Sequence, residues 1–134
     1  LADGTIDAIA TDHAPHSATG KDVEFDQAAN GVIGMETALP VVYTRLVREG
    51  HLPLARMIAA LTTGPARVLG KTGKGTLAPH ADADITMWDG QTSYQINASA
   101  FHSKSRNTPF NGWQVFGRVH RTLVGGHTKY TAEA

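Results

Sequence analysis

Apolar residues fall along the chain in three successive rhythms, each of which predicts a different kind of structure. Ile6 to Ala10 form a short run of β-branched and small apolar residues, and Pro15, Ser17, Thr19 and Gly20 stop it abruptly. That pattern predicts a strand that runs into a loop. Up to about residue 34 the chain is polar and punctuated by Gly20, Gly31 and Gly34, which predicts a mobile loop. Next, Met35, Ala38, Leu39, Val42, Tyr43, Leu46 and Val47 recur at the i, i+3, i+4, i+7 spacing of a helix with one apolar face. Pro40 fits near its start and Gly50 at its stop. Pro53 opens a second helix with Leu54, Met57, Ile58 and Leu61 inward and Gly64 at its end, and Pro65 to Leu69 predict a short third turn closed by Gly70.

From Lys71 the period changes to two. Thr76 to Ala78, Ala83 to Trp88, Thr92 to Ile96 and Gln114 to Val124 read as strands separated by Gly, Pro, Asp and Asn. No strand–helix alternation continues there, so a small β-sandwich is expected beside the first part. The fold class is α/β, divided into residues 1–70 (strand, loop and helices) and 71–134 (part of the sandwich and a terminal segment).

Twelve basic residues balance twelve acidic ones, so no global field draws the chain to nucleic acid or an anionic membrane. The absence of Cys removes disulfides and thiol catalysis and fits a reducing cytoplasm. No apolar run approaches the ~20 residues of a membrane span, and no signal-type segment opens the chain. A soluble, cytoplasmic protein is expected.

The candidate chemistry lies just after the first predicted strand, in Thr11-Asp12-His13-Ala14-Pro15-His16. An acid at the carboxyl end of a barrel strand stands where barrel enzymes keep their active sites, whereas an Asp-His pair in any other loop is more often a turn former or helix cap. Three further blocks accompany it: Gly31 to Pro40, Gly75-Thr76-Leu77-Ala78-Pro79 with Ala83-Asp84, and Ser103-Lys104-Ser105-Arg106-Asn107-Thr108-Pro109-Phe110. In this order the four blocks resemble the carboxyl-terminal part of class I bacterial dihydroorotases, members of the amidohydrolase superfamily. Nearly all of the chain takes part in the resemblance. His at position 16 separates this pattern from that of allantoinases and dihydropyrimidinases.

The resemblance implies the carboxyl-terminal portion of a (β/α)8 barrel with part of a flanking β-sandwich. A complete barrel takes roughly 250 residues, so 134 residues are expected to be one part of such an enzyme. Its lone barrel strand would then have both edges unpaired, and the chain by itself is expected neither to fold nor to act. The implied activity is zinc-dependent, reversible hydrolysis of the cyclic amide of dihydroorotate to N-carbamoyl-aspartate in pyrimidine biosynthesis. Two alternatives stay open: a non-catalytic subunit that assembles with aspartate transcarbamoylase, and a hydantoinase- or allantoinase-type hydrolase. Either a homodimer or that transcarbamoylase complex would be the assembly.

Hydrolysis of a cyclic amide needs an activated water, a group that moves protons and stabilisation of the oxyanion. By resemblance Asp12 is both the last ligand of one or two zinc ions and the general acid/base. The other ligands, a His-x-His pair, further His residues and a modified Lys or acid, would precede Leu1. His16 is implied as a donor to the substrate carboxylate, and Asn30 and Gly31 as backbone contacts to the pyrimidine ring; many family members have Pro where this chain has Asn30. His13, adjacent to Asp12, points the other way on an extended segment and reads as structural. His51, His80, His102, His120 and His127 show no metal spacing and read as surface residues, with His80 in place of a Gly common in the family's turn. The Ser103–Phe110 block reads as a rigid, hydrogen-bonded crossing. Gly73-Lys74-Gly75-Thr76 lacks the full phosphate-loop pattern.

Overall fold

The computed structural model describes residues 1–132. Helices α1 (Ala18–Lys21), α2 (Ala38–Val42), α3 (Leu54–Leu61) and α4 (Thr63–Val68) precede strands β1 (Ile85–Gln95), β2 (Gln114–Val124) and β3 (His127–Thr131). The strands form one antiparallel sheet in the order β1-β2-β3.

The long apolar period holds the first helix together, but its last two turns are wider than an α-helix. α2 passes at Tyr43 into a π-helical stretch that ends at Arg48, and the N–H groups of His51 and Leu52 both reach back to the carbonyl of Leu46, at 2.8 Å each. Widening the helix adds a residue to the turn and leaves Tyr43 facing the sheet. Its ring meets Trp88 edge-on at 4.8 Å, its hydroxyl donates to the carbonyl of Gly90, and Tyr43, Leu52 and Met57 form the buried centre. Each such side chain, fully buried, is worth about 1.5–3 kcal/mol. Thr44 adds a polar tie, its hydroxyl oxygen accepting from the N–H of Phe116 at 2.8 Å.

The helical faces differ in detail from the periodic reading. Met35 lies before α2 and is 68% exposed, and Leu54 and Ile58 are also exposed, so α3 turns Met57 and Ala60 inward instead. Gly64 does not end α3. It sits inside α4, where a Cβ would come within 2.2 Å of the carbonyl oxygen of Asp7, so the chain entering from Leu1 runs hard against this helix. The N–H of Ile9 donates to the carbonyl of Ala60 at 2.8 Å, which fastens the same segment to α3.

The expected strand over Ile6–Ala10 has no ladder, because none of the described residues lies beside it as a partner strand. One parallel bridge, His13 to Val32, forms just beyond it. Thr76–Ala78 is likewise no strand: Leu77 is 81% exposed, and the hydroxyl of Thr76 accepts from the N–H of Ala78 in a local turn. The two strands expected over 83–96 are one, β1, kinked where the Asp89 carboxylate accepts from the N–H groups of Gln91 and Thr92 and the register with β2 shifts. β3 was not expected. It follows a two-residue Gly125-Gly126 turn with φ values of +55° and +79°, the combination a tight hairpin requires.

Candidate active site

Asp12 has a φ of +44°, in the left-handed region that costs most L-residues about 1–2 kcal/mol and that Asp tolerates better than others. Its side chain is exposed, and among the described residues no hydrogen bond or ion pair engages its carboxylate. Such a residue, held in an unfavourable conformation with free lone pairs, is typical of functional sites.

What holds it there begins one residue on. Nδ1 of His13 accepts from the N–H of Gly34 at 3.1 Å and of Met35 at 3.4 Å, so the ring ties the start of the loop to its end. Its reading as a structural residue agrees with this. The N–H of Ala14 donates to the carbonyl of Val32 at 3.0 Å, and a Cβ on Gly34 would fall 2.9 Å from Cβ of Thr11. Residues 11–14 and 32–35 are therefore zipped together at the base of the loop between them. The loop expected to be mobile is fastened at its base, because backbone and side-chain hydrogen bonds close it from both sides.

Within the loop, Ser17 caps α1 by accepting from the N–H of Gly20, and α1 presents Lys21 inward. The Lys21 ammonium donates to the carbonyls of Ala29 at 2.7 Å and Gly31 at 3.2 Å. From the far end of the sequence, Asn107 contributes three bonds. Its Nδ2 donates to the carbonyls of Ala14 at 2.8 Å and Gly31 at 3.2 Å, and its Oδ1 accepts from the N–H of His16 at 3.3 Å. The Asn107 backbone carbonyl receives the N–H of Ile33 at 3.1 Å. The Glu36 carboxylate then receives the N–H groups of His102 and Ser103 at 2.9 and 3.0 Å. The Ser103–Phe110 block is thus a hydrogen-bonded crossing, and what it crosses is the loop carrying Asp12 and His16.

These ties bring His16 against Gly31. Gly31 adopts a φ of +112°, and a Cβ there would lie 2.5 Å from Cβ of Ala14 and 3.5 Å from Nε2 of His16, so only glycine fits. Both donors to Gly31 take its carbonyl. Among the described residues, the N–H of Gly31 and the carbonyl of exposed Asn30 have no protein partner, so this peptide unit can hydrogen-bond a ligand.

Asp12, His16, Asn30 and Gly31 thus lie on one pinned loop. His51, His80, His102, His120 and His127 are all exposed, as expected, and His80 has a φ of +67°, which explains why a turn there suits glycine. Among the described residues no three His, Cys, Asp or Glu side chains gather to hold a metal. Catalytic zinc takes three protein ligands, so the exposed Asp12 carboxylate fits as one member of a set. Lys21, Glu36 and Asn107 escaped the sequence reading as site-forming residues. A lone Asn between Arg106 and Thr108 in a Pro-flanked polar segment is the one signal that could have pointed to Asn107.

The clearest charge cluster lies elsewhere. Lys74 bonds Asp84 and lies 3.0 Å from Asp82. The bonds from Lys74 and from the N–H of Gly125 hold the Asp84 carboxyl below its usual range, and those to Asp84 and Asp82 raise Lys74.

The model of the amidohydrolase family matches residues 1–129. A dihydroorotase of Anaeromyxobacter dehalogenans strain 2CP-1 is 56% identical over 126 residues, 94% of this chain and 29% of that protein. A dihydroorotase of Acetivibrio thermocellus is 48% identical over 127 residues, 95% of this chain and 30% of that one. The chain therefore spans about 30% of the length of these relatives. Among solved structures, an L-hydantoinase (dihydropyrimidinase) from Arthrobacter aurescens superposes with a TM-score of 0.91 at 32% identity, over 98% of this chain and 30% of that one. A D-hydantoinase (dihydropyrimidinase) from Thermus sp. superposes with a TM-score of 0.88 at 29% identity, over 96% and 29% respectively.

Proposed function

The chain belongs to the amidohydrolase family, and from that membership we propose that it is the carboxyl-terminal part of a dihydroorotase. The observation that carries this reading is the approach of His16 to Gly31, where a Cβ would lie 3.5 Å from Nε2, on the same pinned loop as Asp12, in a chain 48–56% identical to dihydroorotases. In this proposal residues 1–70 complete a (β/α)8 barrel and residues 71–134 contribute to a β-sandwich. The edge of the Ile6–Ala10 segment and the exposed Met35 would then be covered by the rest of the protein. The enzyme would work in the cytoplasm.

Asp12 would be one ligand of a zinc centre completed by residues outside this chain. Zinc, when bound, lowers the pKa of water toward ~7 and polarises a carbonyl. Asp12 takes the proton of the attacking water as the new C–O bond forms at the ring amide, and delivers it to the ring nitrogen as the C–N bond breaks. Asp12 is exposed, and among the described residues no hydrogen bond or ion pair holds its carboxylate, so it is free for both transfers. His16 donates to the substrate carboxylate. The N–H of Gly31 and the carbonyl of Asn30 meet the polar edge of the ring. Hydrolysis makes a carboxylate and releases a proton, so ring closure, the biosynthetic direction, gains as pH falls.

A hydantoinase-type specificity is the second reading, since hydantoinases share the fold at 29–32% identity. A non-catalytic subunit bound to aspartate transcarbamoylase is a third. One experiment separates them. The complete purified protein should contain stoichiometric metal and turn over dihydroorotate faster than hydantoin, and residues 1–134 alone should bind no stoichiometric zinc and turn over neither. Preference for hydantoin moves the reading to the hydantoinases. A complete, metal-free protein inactive on both rings refutes an enzyme, and co-elution with aspartate transcarbamoylase would then favour the scaffold.

A further inference from the structure

Deepening the dihydroorotase reading, on which it rests, we infer that Asn107 is a positioning residue: its carboxamide sets His16 and the Asn30–Gly31 peptide in register for the substrate. Three observations converge on it. The three bonds of the side chain end on Ala14, His16 and Gly31, which are the two flanks of the candidate substrate contact and the residue wedged against them. The side chain donates to two carbonyls, one of which Lys21 also reaches, and accepts from one N–H, so only a carboxamide in this one orientation makes all three bonds. Asp would lose both donors, and Leu would lose everything. The segment around Asn107 is itself fixed to the same loop at two more points, by Ile33 onto the Asn107 carbonyl and by Glu36 onto the N–H groups of His102 and Ser103. Asn107 is therefore a rigid post.

The Gly31 carbonyl also explains why the post bears on specificity. Asn107 and Lys21 occupy it from two directions, which orients the Gly31 residue so that its N–H stays free of protein partners. Removing the carboxamide lets the Asn30–Gly31 peptide rotate and uncouples it from His16. The groups that contact the substrate would then be intact but misplaced, a defect of binding and not of proton transfer at Asp12.

The test uses the complete enzyme. Asn107→Ala should raise KM for dihydroorotate by at least about tenfold, with kcat within about threefold of wild type. In a His16→Ala background the same change should raise KM by clearly less than it does alone, because the part of its effect that runs through His16 is already lost and only the part through the Asn30–Gly31 peptide remains. Hydrogen exchange of peptides covering Ala14–His16 and Asn30–Ile33 should accelerate, while β1 and β2 stay protected. Asn107→Asp keeps the shape and the acceptor for His16, and should show the same KM defect if Asn107→Ala does not fold. Unchanged KM, losses that add fully to those of His16→Ala, a fall in kcat alone, or unchanged exchange in the two loop peptides would each overturn the assignment. A wild-type enzyme that prefers hydantoin would refute the dihydroorotase reading instead, and exchange would still report on the post.

Discussion

Gly31→Ala puts the geometry of the loop to its hardest test. The added Cβ would sit 2.5 Å from Cβ of Ala14, and the φ of +112° is one that an L-residue rarely adopts. A backbone outlier of this kind costs about 1–3 kcal/mol and overpacking another ~1–3 kcal/mol. The loop can escape this combined ~2–6 kcal/mol only by moving the Asn30–Gly31 peptide away from Ala14 and His16. If that peptide binds the ring, kcat/KM for dihydroorotate should fall by at least ~30-fold, the equivalent of about 2 kcal/mol. Gly50→Ala is the control. Gly50 also has a positive φ, +81°, but nothing lies within 4 Å of its Cβ position, so that variant should lose about 1–2 kcal/mol of stability with kcat/KM unchanged. Both are read by steady-state kinetics alongside denaturation curves and metal content. A folded, metal-loaded Gly31→Ala enzyme with kcat/KM within about threefold of wild type would refute the placement of this peptide against the substrate.

Other outcomes follow from the same geometry. Asp12→Asn keeps the size and loses the proton acceptor, so kcat should drop by at least ~10²-fold; a metal-loaded variant with more than half the wild-type kcat would remove Asp12 from the mechanism. His16→Ala should weaken dihydroorotate by about 1.5–3 kcal/mol, the scale of a hydrogen bond to a charged group, and leave a neutral ring lacking the carboxylate unaffected. Equal losses in kcat/KM on the two rings would reject that role. Lys74→Met tests the charge cluster through pH. The Asp84 carboxyl is lowered in the folded protein, so its contribution is present above the unfolded Asp value and disappears as pH falls through the folded one. Lys74 is raised, so its share is complete below the unfolded Lys value and is lost as pH rises through the folded one. The variant should therefore be less stable than wild type in urea near neutrality, with the gap closing toward either extreme; a gap independent of pH would show that the pairing contributes nothing.

Periodicity carried the helical part well, because one face of α2 and α3 is buried against Tyr43, Leu52 and Met57. It misassigned Met35, Leu54 and Ile58, which stay exposed among the described residues. β3 was invisible to it: every residue from His127 to Thr131 is exposed, so no alternation marks the strand, and the Gly125-Gly126 turn was the signal to follow. The split reading of β1 fell on a real discontinuity, the Asp89 turn, where the ladder shifts register without ending. Around the site, Asp12 and His16 were legible because their neighbours form a compact local motif. Asn107 was not. Its partners lie 76 to 93 residues away, and no local rule of spacing links a carboxamide to carbonyls at that distance.

That separation also sets an order of events in the cell. A ribosome adding about 5–20 residues per second needs roughly 5–20 s to pass from Ala14 to Asn107, and during that interval the loop that holds His16 and Gly31 has no post to close upon. The contacts of α2 and α3 with each other through Leu52 and Met57 are local and fast to form, so they can pack while the chain is still growing. The bonds that fix His16 and Gly31 come last, in the same step that docks the Ser103–Phe110 crossing. A nascent chain that stalls before Asn107 could zip residues 11–14 against 32–35, but it would carry His16 and the Asn30–Gly31 peptide without the post that fixes them.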